Sequence, residues 1–234
     1  MKWSEYPITW SREDHPARVD APGALALVVA PQVSGYILHK VLMDGGSSIN
    51  ILYWDTFIRM GFTAKQLHPS STIFHGIVPG KSARPEGTIT LEVAFGVSKD
   101  NFRSEIICFE VVKLKSPYHA LFGRNVFARF MARPCYVYLK MKMPGPKGII
   151  TVNGSREMAL QCEEGDAIMA EQACAEEELY YYKDTTNPDD GTILKKPMTE
   201  EREKFKAAQD TKMIDFVPGD SSKQFSIGSN LTDK

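Results

Sequence analysis

Short apolar runs separated by turn residues fill the chain from about residue 21 to residue 153. β-Branched and aliphatic residues dominate these runs, and turn-forming segments interrupt them at intervals of roughly 8–15 residues. The runs are LALVVA, YILHKVLM, STIFHGIV, GTITLEVAFG, SEIICFEVV and IITVNG. Their spacing predicts some seven or eight short strands, and therefore a compact, mostly antiparallel β barrel or sandwich.

Two segments change from the strand period to the helical one. Apolar residues recur at helical spacing in WDTFIRMG, and Gly61 suits a helix C-terminus, so a short helix is predicted near Trp54–Met60. GRNVFARFM predicts a second short helix near Arg124–Phe130. The segment CYVYLKMKM alternates like a single strand, with Cys135, Val137, Leu139, Met141 and Met143 on one face.

The composition changes after Gly154, where residues 154–234 are predicted to form an acidic and polar linker or tail. Seven acidic residues and no basic ones lie between Glu163 and Glu178. We expect this region to pack poorly apart from a helix near Glu200–Gln209. Residues 1–20 are interpreted as a polar lead-in, so the predicted domain covers residues 21–153.

Composition and charge narrow the class of protein. A hydrophobic content of 43% and a charged content of 24% are typical of a soluble globular protein. The formal net charge of −1 gives no global field that would attract nucleic acid. No apolar run approaches the roughly 18 residues that span a bilayer, so no membrane partner is expected, and a cytoplasmic or nuclear location is the default. The four cysteines show no zinc spacing, and we expect neither metal nor cofactor, with Cys108 and Cys135 as buried thiols.

One aspartate lies at the end of an apolar run, in VLMDGGSSINILYWDTF. Asp-Gly is a common turn dipeptide, so taken alone Asp44 predicts no more than a turn. The neighbouring segments FHGIVPGKSARPEGTITLEVAFG, SPYHALFGRNVFARFMA and IGSNLTDK change that interpretation. Together these segments resemble the retropepsin-like aspartic protease region of plant gypsy-type retrotransposon Gag-Pol polyproteins, just upstream of reverse transcriptase. The resemblance extends from about Ile8 to Lys234.

The resemblance implies a fold and a mechanism. The implied fold is a mostly β, closed antiparallel barrel with one or two short helices and an irregular, partly helical C-terminal tail. The implied activity is aspartic endopeptidase action on a polypeptide substrate, with Asp44 as the catalytic residue. Such enzymes need two carboxylates about 3 Å apart that share one proton. Because the chain holds one such motif, the active form is expected to be a homodimer with one Asp44 from each chain.

Further site residues follow from the resemblance. Gly45, Gly46 and Ser47 correspond to the active-site loop, and Ser47 is expected to offer its hydroxyl to Asp44. The sequence departs from the family at Gly45, where threonine or serine usually links the two loops of the dimer. Gly76 and Gly80 correspond to the flap, the hairpin that closes over substrate. Gly123 and Arg124 correspond to structural support, with Arg124 holding its helix under the loop.

Alternatives remain open at the level of sequence. Gly45 favours a catalytically inactive, dimerising or peptide-binding remnant of the same fold, whereas Asp44, Gly46 and Ser47 favour an enzyme. A structural spacer is a third interpretation. Gly76 and Gly80 equally suit an ordinary hairpin loop, and Arg124 also suits an exposed arginine at a helix start.

Overall fold

Strands make up most of the regular structure. A computed structural model of the protein describes residues 7–16, 22–78, 81–185, 211–215 and 224–228. The first strands are β1 Val28–Val29, β2 Gln32–Val33, β3 Tyr36–Ile37, β4 Val41–Met43, β5 Ile51–Tyr53, β6 Phe74–Val78, β7 Lys81–Ala83 and β8 Gly87–Ser98. The later strands are β9 Asn101–Val112, β10 Ala120–Phe122, β11 Arg133–Cys135, β12 Lys140–Gly145, β13 Gly148–Asn153, β14 Thr211–Asp215 and β15 Gln224–Gly228. The helices are α1 Trp54–Arg59, α2 Arg124–Phe130 and α3 Arg156–Thr185.

Eight strands form one curled sheet in the order β1-β4-β10-β5-β9-β8-β2-β3. Most neighbours are antiparallel, but β10 runs parallel to β4, and β5 runs parallel to β9. The predicted mostly β fold is confirmed. The predicted closure is not made by strand pairing, since β1 and β3 end the sheet and have two residues each. The sheet is therefore a half-barrel.

The two short helices cover this sheet and complete its core. The predicted helices near Trp54–Met60 and Arg124–Phe130 are confirmed as α1 and α2. Phe57 of α1 and Phe130 of α2 are fully buried in the same apolar cluster as Phe109 and Phe122. Burying a large side chain of this kind contributes about 1.5–3 kcal/mol. Helices this short are unstable on their own, so this packing stabilises both of them.

The outer face of β9 explains one wrong prediction. Side chains alternate along this strand, so Ile107 and Phe109 point into the core while Ile106 and Cys108 are exposed. Cys108 was predicted to be a buried thiol because its neighbours are apolar. Cys135 is of intermediate exposure, so neither thiol is fully buried.

The segment that alternates like a single strand is divided by a turn. β11 ends at Cys135, residues 136–139 turn, and β12 begins at Lys140. The prediction of one continuous strand is therefore wrong. Leu139 has a left-handed backbone with φ 48°, which a strand does not allow. The alternation holds only after the turn, where Met141 and Met143 are fully buried.

The first two turns of α3 pack against the outer side of the sheet. Ala159 and Cys162 are fully buried in a cluster with Val28 and Tyr118. The expectation of poor packing directly after Gly154 is wrong for these turns. The partly helical character of this region is confirmed, although the predicted helix near Glu200–Gln209 lies outside the described residues.

The chain divides into two compact units, Met1–Glu176 and Glu177–Lys234. In the second unit, β14 and β15 form an antiparallel hairpin. The predicted domain range of 21–153 stays a prediction. None of the helices in the described part of the chain is both long and apolar enough to cross a membrane.

The N-terminal segment 7–16 lies against β12 and the turn before it. Lys142 donates to both Thr9 O at 2.9 Å and the Asp14 carboxylate at 2.7 Å. The ammonium of Lys142 also lies 4.8 Å from the centre of the Trp10 ring. These contacts bury Asp14, and its pKa is lowered chiefly by the hydrogen bond from Lys142 and then by the Ser11 amide. Residues 7–16 of the predicted lead-in thus form an ordered strap over β12 and the turn before it.

Candidate functional site

Asp44 begins the loop that follows β4. Val41 and Met43 of this strand are buried, and Asp44 is half-buried at its end. The Asp44 amide donates to Phe122 O at 2.9 Å, which continues the parallel pairing of β4 with β10. β10 also pairs with β5 on its other side, so the strands on both sides of the loop share one partner. This arrangement fixes the position of the Asp44 backbone.

Gly46 holds the Asp44 carboxylate. Its amide donates to Asp44 Oδ1 at 2.8 Å, and the Ser47 amide donates to Asp44 O at 3.3 Å. A hydrogen bond from an amide to a carboxylate is stronger than one between neutral groups. A Cβ on Gly46 would lie 3.1 Å from Oδ1, closer than side chains normally approach. The absence of a side chain at position 46 therefore lets the Gly46 main chain approach the Asp44 carboxylate closely enough to form this hydrogen bond.

Gly45 occupies open space on the exposed side of the loop. The nearest atom to an ideal Cβ at this position is the Tyr136 hydroxyl oxygen, 3.9 Å away. Its backbone is not in the left-handed region that favours glycine. A threonine or serine therefore fits here without strain, and the glycine is not required by the fold of the single chain.

The Ser47 hydroxyl is bonded to its own loop. Its Oγ donates to Ile49 O at 3.0 Å and accepts from the Ile49 amide at 3.3 Å. The expected bond from Ser47 to Asp44 is not the one formed in the described chain. Serine side chains compete well for nearby main-chain groups, and here that local bond shapes the turn into β5.

Gly123 and Arg124 connect the start of α2 to the loop. The Arg124 amide donates to Ser47 O at 2.9 Å. A Cβ on Gly123 would lie 2.3 Å from Ile49 O and 2.8 Å from Ser47 O, so only glycine permits this approach. The Arg124 side chain is exposed, and the link under the loop is made by its main chain instead of its guanidinium.

The C-terminal end of α2 is held by β9. The Arg103 guanidinium donates to Phe130 O at 3.0 Å and to Arg129 O at 2.6 Å. The same side chain forms an ion pair with Glu105 at 2.6 Å. A cation at the carbonyl end of a helix satisfies groups that the helix itself leaves unpaired. Both ends of α2 are thus fixed, one of them on the Asp44 loop.

Asn50 is a supporting residue that the sequence analysis did not identify. This buried side chain accepts from the Gly123 amide at 2.9 Å and donates to Cys108 O at 3.0 Å. The Asn50 carbonyl accepts from the Glu110 amide at 2.9 Å. One side chain thereby connects the Asp44 loop, the start of α2 and β9. The available signal was a single polar residue between the serines and a buried strand.

The predicted flap segment contains a hairpin. β6 and β7 pair antiparallel, with Phe74 opposite Ala83 and Val78 opposite Lys81. The register shifts between Phe74 and Val78, so the pairing is irregular in the stretch of β6 that contains Gly76. Gly80 lies outside the described residues. Closure of this hairpin over a substrate stays a prediction.

The aspartate that follows Asp44 in the sequence, Asp55, lies on α1 and not in the loop. Asp55 is exposed in the first turn of α1. Within the described residues, no group of three or more histidine, cysteine, aspartate and glutamate side chains is arranged to hold a metal ion. The described site of a single chain therefore offers one loop-held carboxylate.

Comparison with known proteins gives similarity at the level of solved structures. The retroviral protease-like domain of Ddi1 from Leishmania major matches with a TM-score of 0.41 and 15% identity, covering 56% of this chain and 95% of that one. A retropepsin-like aspartic protease from Rickettsia conorii matches with a TM-score of 0.32 and 19% identity, covering 53% of this chain and 79% of that one. No family model matches the chain, and no curated protein matches it.

Proposed function

We propose that the protein is an aspartic endopeptidase that acts as a homodimer, with Asp44 of each chain in one shared site. The observation that carries this proposal is the Asp44 carboxylate, half-buried at the end of β4 and held through Oδ1 by the Gly46 amide at 2.8 Å. The loop around it is fixed to β10 and α2 by main-chain bonds. A carboxylate held in this way is suited to position a water molecule instead of forming a surface ion pair.

The chemistry requires two carboxylates. One ionised Asp44 removes a proton from water as the water oxygen attacks the peptide carbonyl carbon, and the protonated partner donates a hydrogen bond to the carbonyl oxygen. Breakdown of the tetrahedral intermediate breaks the C–N bond, and the departing nitrogen takes the proton that the first Asp44 removed from water. A single group cannot be base and acid in the same step. The second Asp44 therefore comes from a second copy of the chain.

The test is a hydrolysis assay on an unstructured polypeptide between about pH 4 and pH 6, with and without pepstatin. Asp44→Asn is expected to reduce the rate by roughly 10⁴-fold or more, since the base is lost. Asp55→Asn is the matched control, because Asp55 is an exposed carboxylate on α1 and should leave the rate unchanged. Equal hydrolysis by the wild type and Asp44→Asn would refute the assignment.

Dilution tests the dimer separately. Below the dimer dissociation constant, the rate should fall faster than linearly with protein concentration, and sedimentation should show monomers over the same range. A rate strictly proportional to concentration would contradict a shared site. A protein that dimerises and binds extended peptides without cleaving them would establish the non-catalytic alternative, which Gly45 favours.

The biological setting is proposed from the sequence resemblance. We propose that the segment belongs to a plant gypsy-type retrotransposon Gag-Pol polyprotein, acts on cleavage sites of that polyprotein, and is cytoplasmic or enclosed in element particles. Sequencing the DNA that flanks its reading frame tests the origin: an adjoining reverse transcriptase frame is expected, and an unrelated host gene would refute it. Cell fractionation tests the location.

A further inference from the structure

The hydroxyl of Tyr136 lies above Gly45, the position where the loop lacks a side chain. Its oxygen is 3.9 Å from the point that a Cβ on Gly45 would occupy. The oxygen of a threonine or serine at position 45 would lie one covalent bond beyond that point. Such an oxygen is therefore within reach of a hydrogen bond to Tyr136, for which about 2.7–2.8 Å is usual. The two positions can place a hydroxyl in the same small region.

Tyr136 is carried by a turn that is fixed on several sides. The Leu139 amide donates to Tyr136 O at 3.4 Å, and Leu139 O accepts from the Gly154 amide at 2.7 Å. The Tyr138 hydroxyl lies 2.6 Å from His15 Nε2 of the N-terminal strap. These contacts close the turn between β11 and β12 and fix its second half, at Tyr138 and Leu139, to neighbouring segments. Tyr136 is 40% exposed, and its hydroxyl faces the loop at Gly45.

We propose that Tyr136 is a positioning residue that supplies, from the same chain, the hydroxyl that Gly45 lacks. A phenol is both donor and acceptor, and its rigid ring carries that oxygen across a distance that a short side chain does not cover. Tyrosine at 136 with glycine at 45 is thus an alternative to a small hydroxyl residue at 45. The catalytic part of this inference rests on the proposed function.

The test is a double-mutant cycle of Tyr136→Phe and Gly45→Thr, with kcat and KM measured for all four proteins. By removing the hydrogen bond that the proposal assigns to this hydroxyl, Tyr136→Phe should reduce kcat about tenfold, with KM within about twofold. The cycle compares the effect of Gly45→Thr on kcat in the wild-type background with its effect in the Tyr136→Phe background, where the threonine supplies the hydroxyl that phenylalanine lacks. In the double variant, the threonine should restore kcat to within about threefold of the wild type. Additive effects would overturn the proposal, and so would an effect on KM alone, which would mean that Tyr136 only contacts the substrate.

Tyr138→Phe is the matched control for the turn. It removes a hydroxyl from the same turn, but one that contacts His15 and not Gly45. We expect kcat to change by less than about twofold. An effect equal to that of Tyr136→Phe would show that the hydroxyls only stabilise the turn, and the proposal would be wrong.

A readout without hydrolysis separates this inference from the proposed function. Amide exchange of Gly46, whose N–H donates to Asp44 Oδ1 at 2.8 Å, reports how firmly the loop is held. Exchange should accelerate about tenfold in Tyr136→Phe and return to the wild-type rate in the double variant. If the wild type never hydrolyses a peptide, the proposed function fails and this exchange cycle still decides the role of Tyr136. If exchange is the same in all four proteins, Tyr136 has no positioning role, whatever the activity.

Discussion

Replacing Asn50 by alanine should lower the free energy of unfolding more than a substitution at an exposed position, because Asn50 supports the Asp44 loop. The substitution removes the hydrogen bonds to the Gly123 amide at 2.9 Å and to Cys108 O at 3.0 Å. Both main-chain groups then lose their partner, and each such buried group costs about 1–3 kcal/mol. The expected loss in the free energy of unfolding is therefore about 2–6 kcal/mol. That is a large part of the roughly 5–15 kcal/mol typical of a folded protein.

Urea denaturation followed by tryptophan fluorescence measures this loss. The three tryptophans all lie within the unit Met1–Glu176, so the signal reports the unit that contains Asn50. The midpoint should fall while the slope m stays the same, because the surface exposed on unfolding is unchanged. Asn125→Ala is the matched control. It removes the same side chain from an exposed position on α2 and should change the free energy of unfolding by less than about 0.5 kcal/mol. A loss below about 1 kcal/mol for Asn50→Ala, or one equal to the control, would refute the reasoning.

Three further predictions use other described contacts. Gly123→Ala should destabilise the protein by about 2–3 kcal/mol because its Cβ would meet main-chain oxygens, whereas Gly45→Ala should change stability by less than about 1 kcal/mol; urea denaturation of both variants checks this. The pKa of Asp14 is lowered below its usual 3.8, chiefly by the hydrogen bond from Lys142. The stabilisation from the ionised Asp14 is therefore present above pH 3.8 and lost as the pH falls through the lower folded-state pKa, so the loss of stability in Asp14→Asn measured at about pH 6 should shrink progressively as the pH is lowered below 3.8. In α3, hydrogen exchange should be slow in the two turns that pack on the sheet and fast over residues 166–176, where nearly every side chain is exposed; strong protection there would contradict it.

Local patterns were sufficient for the elements that the sequence predicted well. α1 and α2 were predicted within about one residue, because apolar spacing and Gly61 or Gly123 at their boundaries are local signals. Asp44 was placed at a strand end for the same reason: an apolar run followed by two glycines ends a strand. The many short strands predicted from the sequence are enough to indicate a curled sheet. The order of the strands in that sheet depends on pairings between segments that are distant in the chain.

Tertiary contacts decided the features that the sequence did not reveal. Leu139 adopts a left-handed backbone without being glycine or asparagine, so no local signal broke the alternating segment. The partners of Asn50 come from α2 and β9, and neither is adjacent to it in sequence. The segment of α3 was interpreted as an acidic tail because its charge suggested disorder, yet Ala159 and Cys162 are fully buried against Val28 and Tyr118.

The nearness of Tyr136 to Gly45 is another tertiary contact that the sequence did not reveal. The turn that carries Tyr136 was hidden inside a predicted strand, and the two residues lie far apart in the chain. A departure from a family pattern at one position therefore says little about function until the neighbours of that position in space are known.

The position of β10 between β4 and β5 also sets the time at which the site can exist during synthesis. Val41 and Leu52 leave the ribosome long before Ala120, which pairs with both of their strands. Until then, Asp44 has neither its acceptor at Phe122 nor the support that Arg124 gives to Ser47. Translation synthesises the chain from its N-terminus, and pairing between segments distant in the sequence is slow. A nascent or prematurely terminated chain thus carries the aspartate without the frame that holds it, and the order of translation itself delays assembly of the loop.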